Sequence, residues 1–386
     1  MASEHGSDIG NLYDVLVNYQ QGRELELSYL SGRWADHEQW RSIARAKMSE
    51  LMGYFPQPAP LDAQTLSVTQ AEGYARHEVQ FNTAKGVRVA GSLLVPSQGK
   101  GPFPAVVALH DHSGFYYHGR EKMLDEDAAP GILLDFQREC YEGRPWASEL
   151  ARRGYVVLAI DSVYFGTRRI DLSTVPPDIF RRIGAGTLEG LAPGSDDYIR
   201  AYNHICISFE PLVMRHFLMA GTTWPGMMYH DDRRSVDYLL SRPEVDGARI
   251  GCCGLSLGGI RSVHLAGLDG RIKASVAAGW MPTAQSMLPN HAKQHTYMLY
   301  TPLQTAYLDF PDIASLTAPN ALFIQQCAQD HLYPLQGMRD ASAKLEKIYG
   351  VLGIPEKYRS AFYDNGHQFN LAMQEDAFEW LDRWLK

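Results

Sequence analysis

The chain has 386 residues, 45% of them hydrophobic and 21% charged, with a net charge of −8. That length buries one large core and leaves residues for an appendage. The acidic balance, with no lysine and arginine cluster interleaved with aromatics, excludes a polyanion-binding face and with it a nucleic-acid partner. The longest apolar runs, 105–109 and 155–160, fall far short of the roughly 20 residues that cross a bilayer, so no membrane partner is expected.

The opening stretch MASEHGSDIG has neither a basic start nor an apolar segment, which points to a cytoplasmic protein. Cys140, Cys206, Cys252, Cys253 and Cys327 are odd in number and lack paired spacing, so they read as reduced packing residues. Residues 11–55 are helical in pattern (Trp34, Trp40, Ile43, Met48, Leu51, Met52) and stop at Phe55-Pro56-Gln57-Pro58. Residues 1–75 are therefore assigned to an amino-terminal helical appendage with its linker, and 76–386 to one catalytic domain. This appendage can cover a pocket or build a homo-oligomer such as a dimer.

His77 to Phe81 and Val87 to Val95 alternate around Lys85-Gly86, as an antiparallel edge hairpin does. Beyond them the pattern changes. Ala105 to Leu109, Tyr155 to Ile160, Ile250 to Cys253, Ala274 to Ala278 and Ala321 to Gln325 are near-continuous apolar runs, the mark of strands buried on both faces. Helical stretches alternate with them at Trp146–Arg153, Arg233–Leu240, Leu257–Gly267, Pro334–Tyr349 and Leu371–Leu385. This order specifies an α/β fold with a doubly wound, mostly parallel sheet. The interval 170–231 is too long for a simple crossover. It is rich in aromatics (Tyr198, Tyr202, Phe209, Trp224, Tyr229) and is expected to form a lid over the carboxyl ends of the strands.

The stretch Arg249-Ile-Gly-Cys-Cys-Gly-Leu-Ser256-Leu-Gly-Gly259 reads as an apolar strand, a tight turn with serine at its apex, and a helix. That is a nucleophile elbow. A serine hydroxyl is weakly nucleophilic until a base takes its proton and an acid orients the base. His367, in Asp364-Asn-Gly-His367, lies on a turn before the last helix and is the preferred base, with His331 as its rival. Asp330, just past the end of a buried strand, is the preferred acid; Asp309, Asp312 and Asp364 remain open. Two backbone donors must face the oxyanion. The N–H of Leu257 is one, and the loop His110-Asp111-His112-Ser113-Gly114 supplies the other, with His112 preferred and Asp111 the alternative. His110, Asp111, His112 and His118 are also competent metal ligands, although His-x-His without a framed third ligand is a weak signal, and no metal or other cofactor is expected. Substrate contacts are expected from the loops at the strand ends: Asp111, Tyr116, Lys122 and Trp280 first, with Tyr117, Arg120, Tyr164, Arg168, Arg169 and Met281 beside them.

Together His110 to Gly114, Glu149 to Asp161, Asp246 to Gly259, Phe310-Pro-Asp-Ile, Asp330 and Gly366-His367 resemble the α/β-hydrolase superfamily, in the branch of dienelactone hydrolases and acetyl xylan esterase-like proteins. The resemblance spans roughly residues 75–386 and implies a serine hydrolase with Ser256, Asp330 and His367 as its triad. Two positions depart from it: Asp111 stands where many relatives have glycine, and the nucleophile is serine where dienelactone hydrolases use cysteine. The expected function is hydrolysis of a carboxylic ester of a small molecule or sugar through an acyl-enzyme on Ser256. The alternatives are the same triad acting on a carbon–carbon or thioester bond, and a catalytically silent relative that only binds a ligand.

Overall fold

The structure is a computed structural model that describes residues 6–386. Nine strands form one sheet: β1 (Gln64–Ala71), β2 (Tyr74–Ala84), β3 (Val87–Pro96), β4 (Phe103–Leu109), β5 (Val156–Ile160), β6 (Val245–Leu255), β7 (Ile272–Ala278), β8 (Ala321–Cys327) and β9 (Tyr358–Tyr363). Their spatial order is β1-β2-β3-β5-β4-β6-β7-β8-β9. The first three strands and the β3–β5 pair are antiparallel, whereas all pairs from β5 to β9 are parallel. The expected doubly wound α/β sheet is thus observed. One edge strand is β1, exposed along its whole length, so the sheet starts inside the segment assigned to the appendage. A boundary at residue 75 cuts the β1–β2 hairpin, whose register joins Ala71 to Tyr74.

Ahead of the sheet lie α1 (Leu12–Gln20) and α2 (His37–Met52), two helices within the stretch 11–55 that the sequence pattern marked as helical. The side chain of Asp36 caps α2 by accepting from the N–H groups of Glu38 and Gln39, and Gly53 ends it in the left-handed region. Its buried stripe, Trp40, Ala44, Met48 and Met52, has the spacing of one helix face and joins the main core. By contrast, α1 buries no residue.

Within the domain the helices are α3 (Gly131–Tyr141), α4 (Trp146–Arg152), α5 (Pro177–Arg182), α6 (Asp196–Met219), α7 (Trp224–Leu240), α8 (Leu257–Leu268), α9 (Ala284–Met287), α10 (Gln304–Tyr307), α11 (Phe310–Ser315), α12 (Leu335–Val351) and α13 (Leu371–Leu385). Successive residues of β4 serve opposite faces of the sheet. Val106 belongs to the same core cluster as Trp146 and Leu150 of α4 and Phe378 and Leu381 of α13, whereas Val107 belongs to the cluster of Val236 and Leu239 of α7 and Leu265 of α8. The crossover helix α7 begins at Trp224, earlier than the sequence pattern indicated, so Trp224 and Tyr229 belong to it and the insertion proper is shorter than 170–231.

Because β4, β6, β7, β8 and β9 are parallel neighbours in that order, the loops after them emerge side by side at one rim. Those loops carry His112, Ser256, Trp280, Asp330 and His367. Among the described residues no helix is long and apolar enough to cross a membrane.

Candidate active site

Ser256 follows β6 at φ 57° and ψ −116°, a region L-residues rarely adopt. The neighbouring glycines explain why the turn can be so tight. A Cβ on Gly254 would lie 2.4 Å from the carbonyl oxygen of Leu109, and one on Gly258 would lie 2.0 Å from the same atom. No side chain fits there, and the close approach presses the elbow against the start of the loop after β4. Helix α8 starts at Leu257, with Ile260 N–H donating to the Ser256 carbonyl at 3.0 Å. The N–H of Leu257 sits at the first helical position, which has no acceptor within its own helix and carries the positive end of the helix dipole.

The loops after β8 and β9 bring Asp330 and His367 together. Oδ2 of Asp330 is 2.5 Å from Nδ1 of His367, and Oδ1 accepts the Leu332 N–H at 2.8 Å. Burial of Asp330 and this second bond hold the carboxylate in one orientation. With Nδ1 donating to the carboxylate, Nε2 carries the lone pair. The imidazole leans on the loop after β7: a Cβ on Gly279 would sit 3.5 Å from its Cε1. That loop is tied to the elbow, because Ser256 N–H donates to the Ala278 carbonyl at 2.8 Å. The Ser256 hydroxyl faces the phenol of Tyr333, whose burial pushes it well above its ordinary pKa. The Tyr333 ring stacks on His295 at 4.8 Å and lies 6.1 Å from the His367 ring. No direct hydrogen bond joins Ser256 to His367 among the described residues; such bonds commonly stay long until substrate binds.

The rival acids have other duties. Asp309 caps α11, Asp312 pairs with Lys344 at 2.7 Å, and Asp364 accepts from Gln329.

The loop His110 to Gly114 is held by side chains that face away from solvent. His110 donates through Nδ1 to the Asp111 carbonyl (2.8 Å) and accepts the Ser162 N–H at Nε2 (3.1 Å). His112 is bonded through Nε2 to Glu210 at 2.6 Å, and its Nδ1 accepts the Gly114 N–H at 3.0 Å. Among the described residues no group of three or more His, Cys, Asp or Glu side chains converges as a metal site.

The four residues first expected to touch substrate are all fully buried, and this corrects the sequence reading. Lys122 lies beneath the loop, with Nζ 2.6 Å from the Asp111 carbonyl and 3.2 Å from Asp111 Oδ2. Asp111 also accepts from the Tyr141 hydroxyl. An ion pair so enclosed supports the loop from below and cannot reach a ligand above it. Tyr116 donates its hydroxyl to Glu210 at 2.6 Å, and Trp280 packs edge-on against Phe310. Arg120 is paired with Asp161 and Glu78, and Arg168 with Asp231 at 2.6 Å. Tyr164 donates to the Cys206 carbonyl, and Met281 is buried. His118 is half-buried beside Phe115 and Tyr117, and desolvation lowers its pKa to about 4.

The insertion does dock on this rim. Asn203 of α6 accepts the N–H groups of Tyr116 and Tyr117, both at 2.9 Å, and Glu210 of the same helix reaches His112. It also lines an open cleft of about 1050 Å³ with Thr167, Arg169, Phe180, Leu188, Tyr198 and Tyr202, beside which Arg169 lies over the Tyr117 ring at 4.2 Å. None of Ser256, Asp330 and His367 lines it. Asn203, Glu210 and Tyr333 were not legible in the sequence: an acid in mid-helix reads as a solvated side chain, and the tyrosine only as a neighbour of Asp330.

Residues 142–302 match the dienelactone hydrolase family, a span that includes the elbow and ends before Asp330. Putative hydrolase YtaP of Bacillus subtilis (strain 168) is 25% identical over 346 residues, covering 89% of this chain and all of that protein. Among solved structures, a putative acetyl xylan esterase from Bacteroides fragilis NCTC 9343 superposes with a TM-score of 0.68 at 18% identity, covering 92% of this chain and 84% of its own. A glucuronoyl esterase from Solibacter usitatus gives 0.59 at 13% identity, with 93% and 97% covered. An acetyl xylan esterase from Paenibacillus sp. R4 gives 0.55 at 20%, with 96% and 99% covered. The chain therefore has the α/β-hydrolase fold, and its residues 142–302 are similar to the dienelactone hydrolase family.

Proposed function

We propose that the protein hydrolyses a carboxylic ester of a small molecule or sugar in two steps through an acyl-enzyme on Ser256. The observation that carries this reading is the Asp330–His367 contact of 2.5 Å on the loops beside a serine at φ 57°. His367 Nε2 takes the hydroxyl proton as Oγ attacks the acyl carbon. Asp330 steadies the imidazolium that forms. The N–H groups of Leu257 and His112 receive the negative charge on the tetrahedral oxygen, and His367 then protonates the departing alcohol. A water deprotonated by His367 cleaves the acyl-enzyme by the same route in reverse. An ester of carbohydrate is favoured by the solved neighbours, whose names are acetyl xylan and glucuronoyl esterases.

Titration with a serine-reactive fluorophosphonate tests the reading. One equivalent is expected to label the protein at Ser256, with labelling and p-nitrophenyl acetate hydrolysis both absent in Ser256→Ala. A folded wild-type protein that takes up no label and cleaves no ester would overturn it.

A further inference from the structure

We propose that Glu210, on the insertion helix α6, is a positioning residue that sets the oxyanion loop through the imidazole of His112; this rests on the hydrolase reading above. The argument begins with the tautomer. Gly114 N–H donates to His112 Nδ1 at 3.0 Å, so that nitrogen must carry a lone pair. The proton is then on Nε2, where it is donated to Glu210 Oε1 at 2.6 Å. One ring thus bridges the turn of its own loop and a carboxylate 98 residues away in sequence.

The turn it holds needs holding. Ser113 and Gly114 are consecutive left-handed residues at φ 46° and 65°, and Phe115 N–H closes the turn on the His112 carbonyl at 3.0 Å. The first of these costs energy for a residue with a Cβ. The main-chain N–H of His112 is the donor assigned to the oxyanion, and its direction is set by this turn. Release of the imidazole frees the turn, and the donor turns with it.

Glu210 is itself anchored on several sides. Oε1 also accepts from the Tyr116 hydroxyl at 2.6 Å and from Thr296 Oγ1 at 3.0 Å, and Oε2 accepts the Tyr297 N–H at 3.3 Å. Burial opposes its charge, but His112 and the hydroxyl donors outweigh burial and hold the carboxyl below its ordinary range. One carboxylate therefore joins three pieces of chain: the insertion, the loop after β4 and the segment 296–297 after β7. In this arrangement the insertion is part of the oxyanion site, and its docking is a condition for catalysis.

The test is a double-mutant cycle with Glu210→Ala and His112→Ala, the latter keeping the main-chain N–H. Each is read by steady-state kinetics on p-nitrophenyl acetate and by hydrogen–deuterium exchange of the 110–117 peptide. A misaimed oxyanion donor is expected to lower kcat about 10- to 100-fold with KM within about threefold. Exchange in 110–117 is expected to quicken in both single variants, and the double variant should be no more than about threefold worse than the poorer single. If Glu210→Ala does not fold, His112→Ala breaks the same bond from the other end and carries the same expectation for kcat and exchange. The proposal is overturned if either folded variant keeps kcat within about threefold of wild type, if exchange in 110–117 is unchanged, or if the two losses multiply. Failure of the hydrolase reading looks different: the wild type itself is then inactive and unlabelled by fluorophosphonate.

Discussion

Asp330 and His367 lie 37 positions apart in sequence, yet their side chains meet at 2.5 Å, and the carboxylate is fixed from its other oxygen by the Leu332 N–H. An amide in place of Asp330 keeps an acceptor for one of these two bonds but presents an N–H, or a neutral oxygen, to the imidazole. Asp330→Asn is expected to lower kcat on p-nitrophenyl acetate by about 10³- to 10⁴-fold with the thermal midpoint little changed. A loss smaller than about tenfold would show that another acid serves His367.

The elbow makes a sharper steric demand. Gly258→Ala places a methyl group 2.0 Å from the Leu109 carbonyl oxygen, a backbone atom of the central strand that cannot withdraw. Urea denaturation should show a loss of about 3 kcal/mol or more, or no soluble protein at all. Gly186→Ala provides the contrast, since a Cβ there meets nothing within 4 Å; its effect should stay within about 0.5 kcal/mol. Equal stability of the two variants would contradict the packing described for the elbow.

The parts of the site that could be read from sequence are those whose chemistry is local. A strand, a glycine-flanked serine and a helix occupy adjacent positions, so Ser256 and Leu257 were legible. Asp330 was legible because it lies just past a buried strand, and His367 because an Asn-Gly turn sets it between a strand-like run and the last helix. The loop after β4 was found, but Lys122 and Asp111 were misread as ligand contacts, because their mutual pairing beneath the loop depends on side-chain directions that spacing does not encode. Glu210 left no signal: its partners at 112, 116, 296 and 297 come from distant segments. The break between α1 and α2 left little signal for a related reason. Apolar residues continue through the pattern, and only the Asp36 cap marks where the second helix begins.

The Lys122–Asp111 pair has no exposed surface on either side, so removing one partner strands a charge in an apolar setting. Lys122→Met is expected to cost about 3 to 5 kcal/mol in urea unfolding. Adding Asp111→Leu should recover part of that loss, because the stranded carboxylate goes with it; the Tyr141 hydroxyl that it accepted is then left without its partner. A single variant as stable as wild type would mean that the lysine is neutral or solvated.

The amino-terminal segment divides into parts of unequal weight. Deletion through residue 22 removes α1, which buries nothing, together with an exposed Asp8–Lys293 pair, and should change stability by less than about 1 kcal/mol. Deletion through residue 55 removes the Trp40, Ala44, Met48 and Met52 stripe and the Trp40 Nε1 bond to the Leu27 carbonyl (2.7 Å). Losing Trp40 alone is worth about 3 to 5 kcal/mol, so the longer deletion should yield insoluble or unfolded protein. A soluble, cooperatively folding 56–386 fragment would refute the place assigned to α2.

Acid should weaken the fold through histidines kept neutral by full or partial burial, His264 foremost. Burial lowers His264 from 6.5 to about 4, and His118 and His295 are likewise lowered to about 4. Below pH 6.5 the unfolded chain takes up a proton that folded His264 refuses until about pH 4. Its contribution is therefore complete above the unfolded value and is lost as pH falls through this window. For one such group the loss between about pH 7 and 4.5 is on the order of 2 to 3 kcal/mol. Urea unfolding at these two pH values should show a smaller drop in His264→Leu than in wild type, whatever the stability of that variant at neutral pH. If both proteins lose the same free energy on acidification, His264 is either protonated in the folded state or accessible to water, and its burial in α8 does not govern the acid limb.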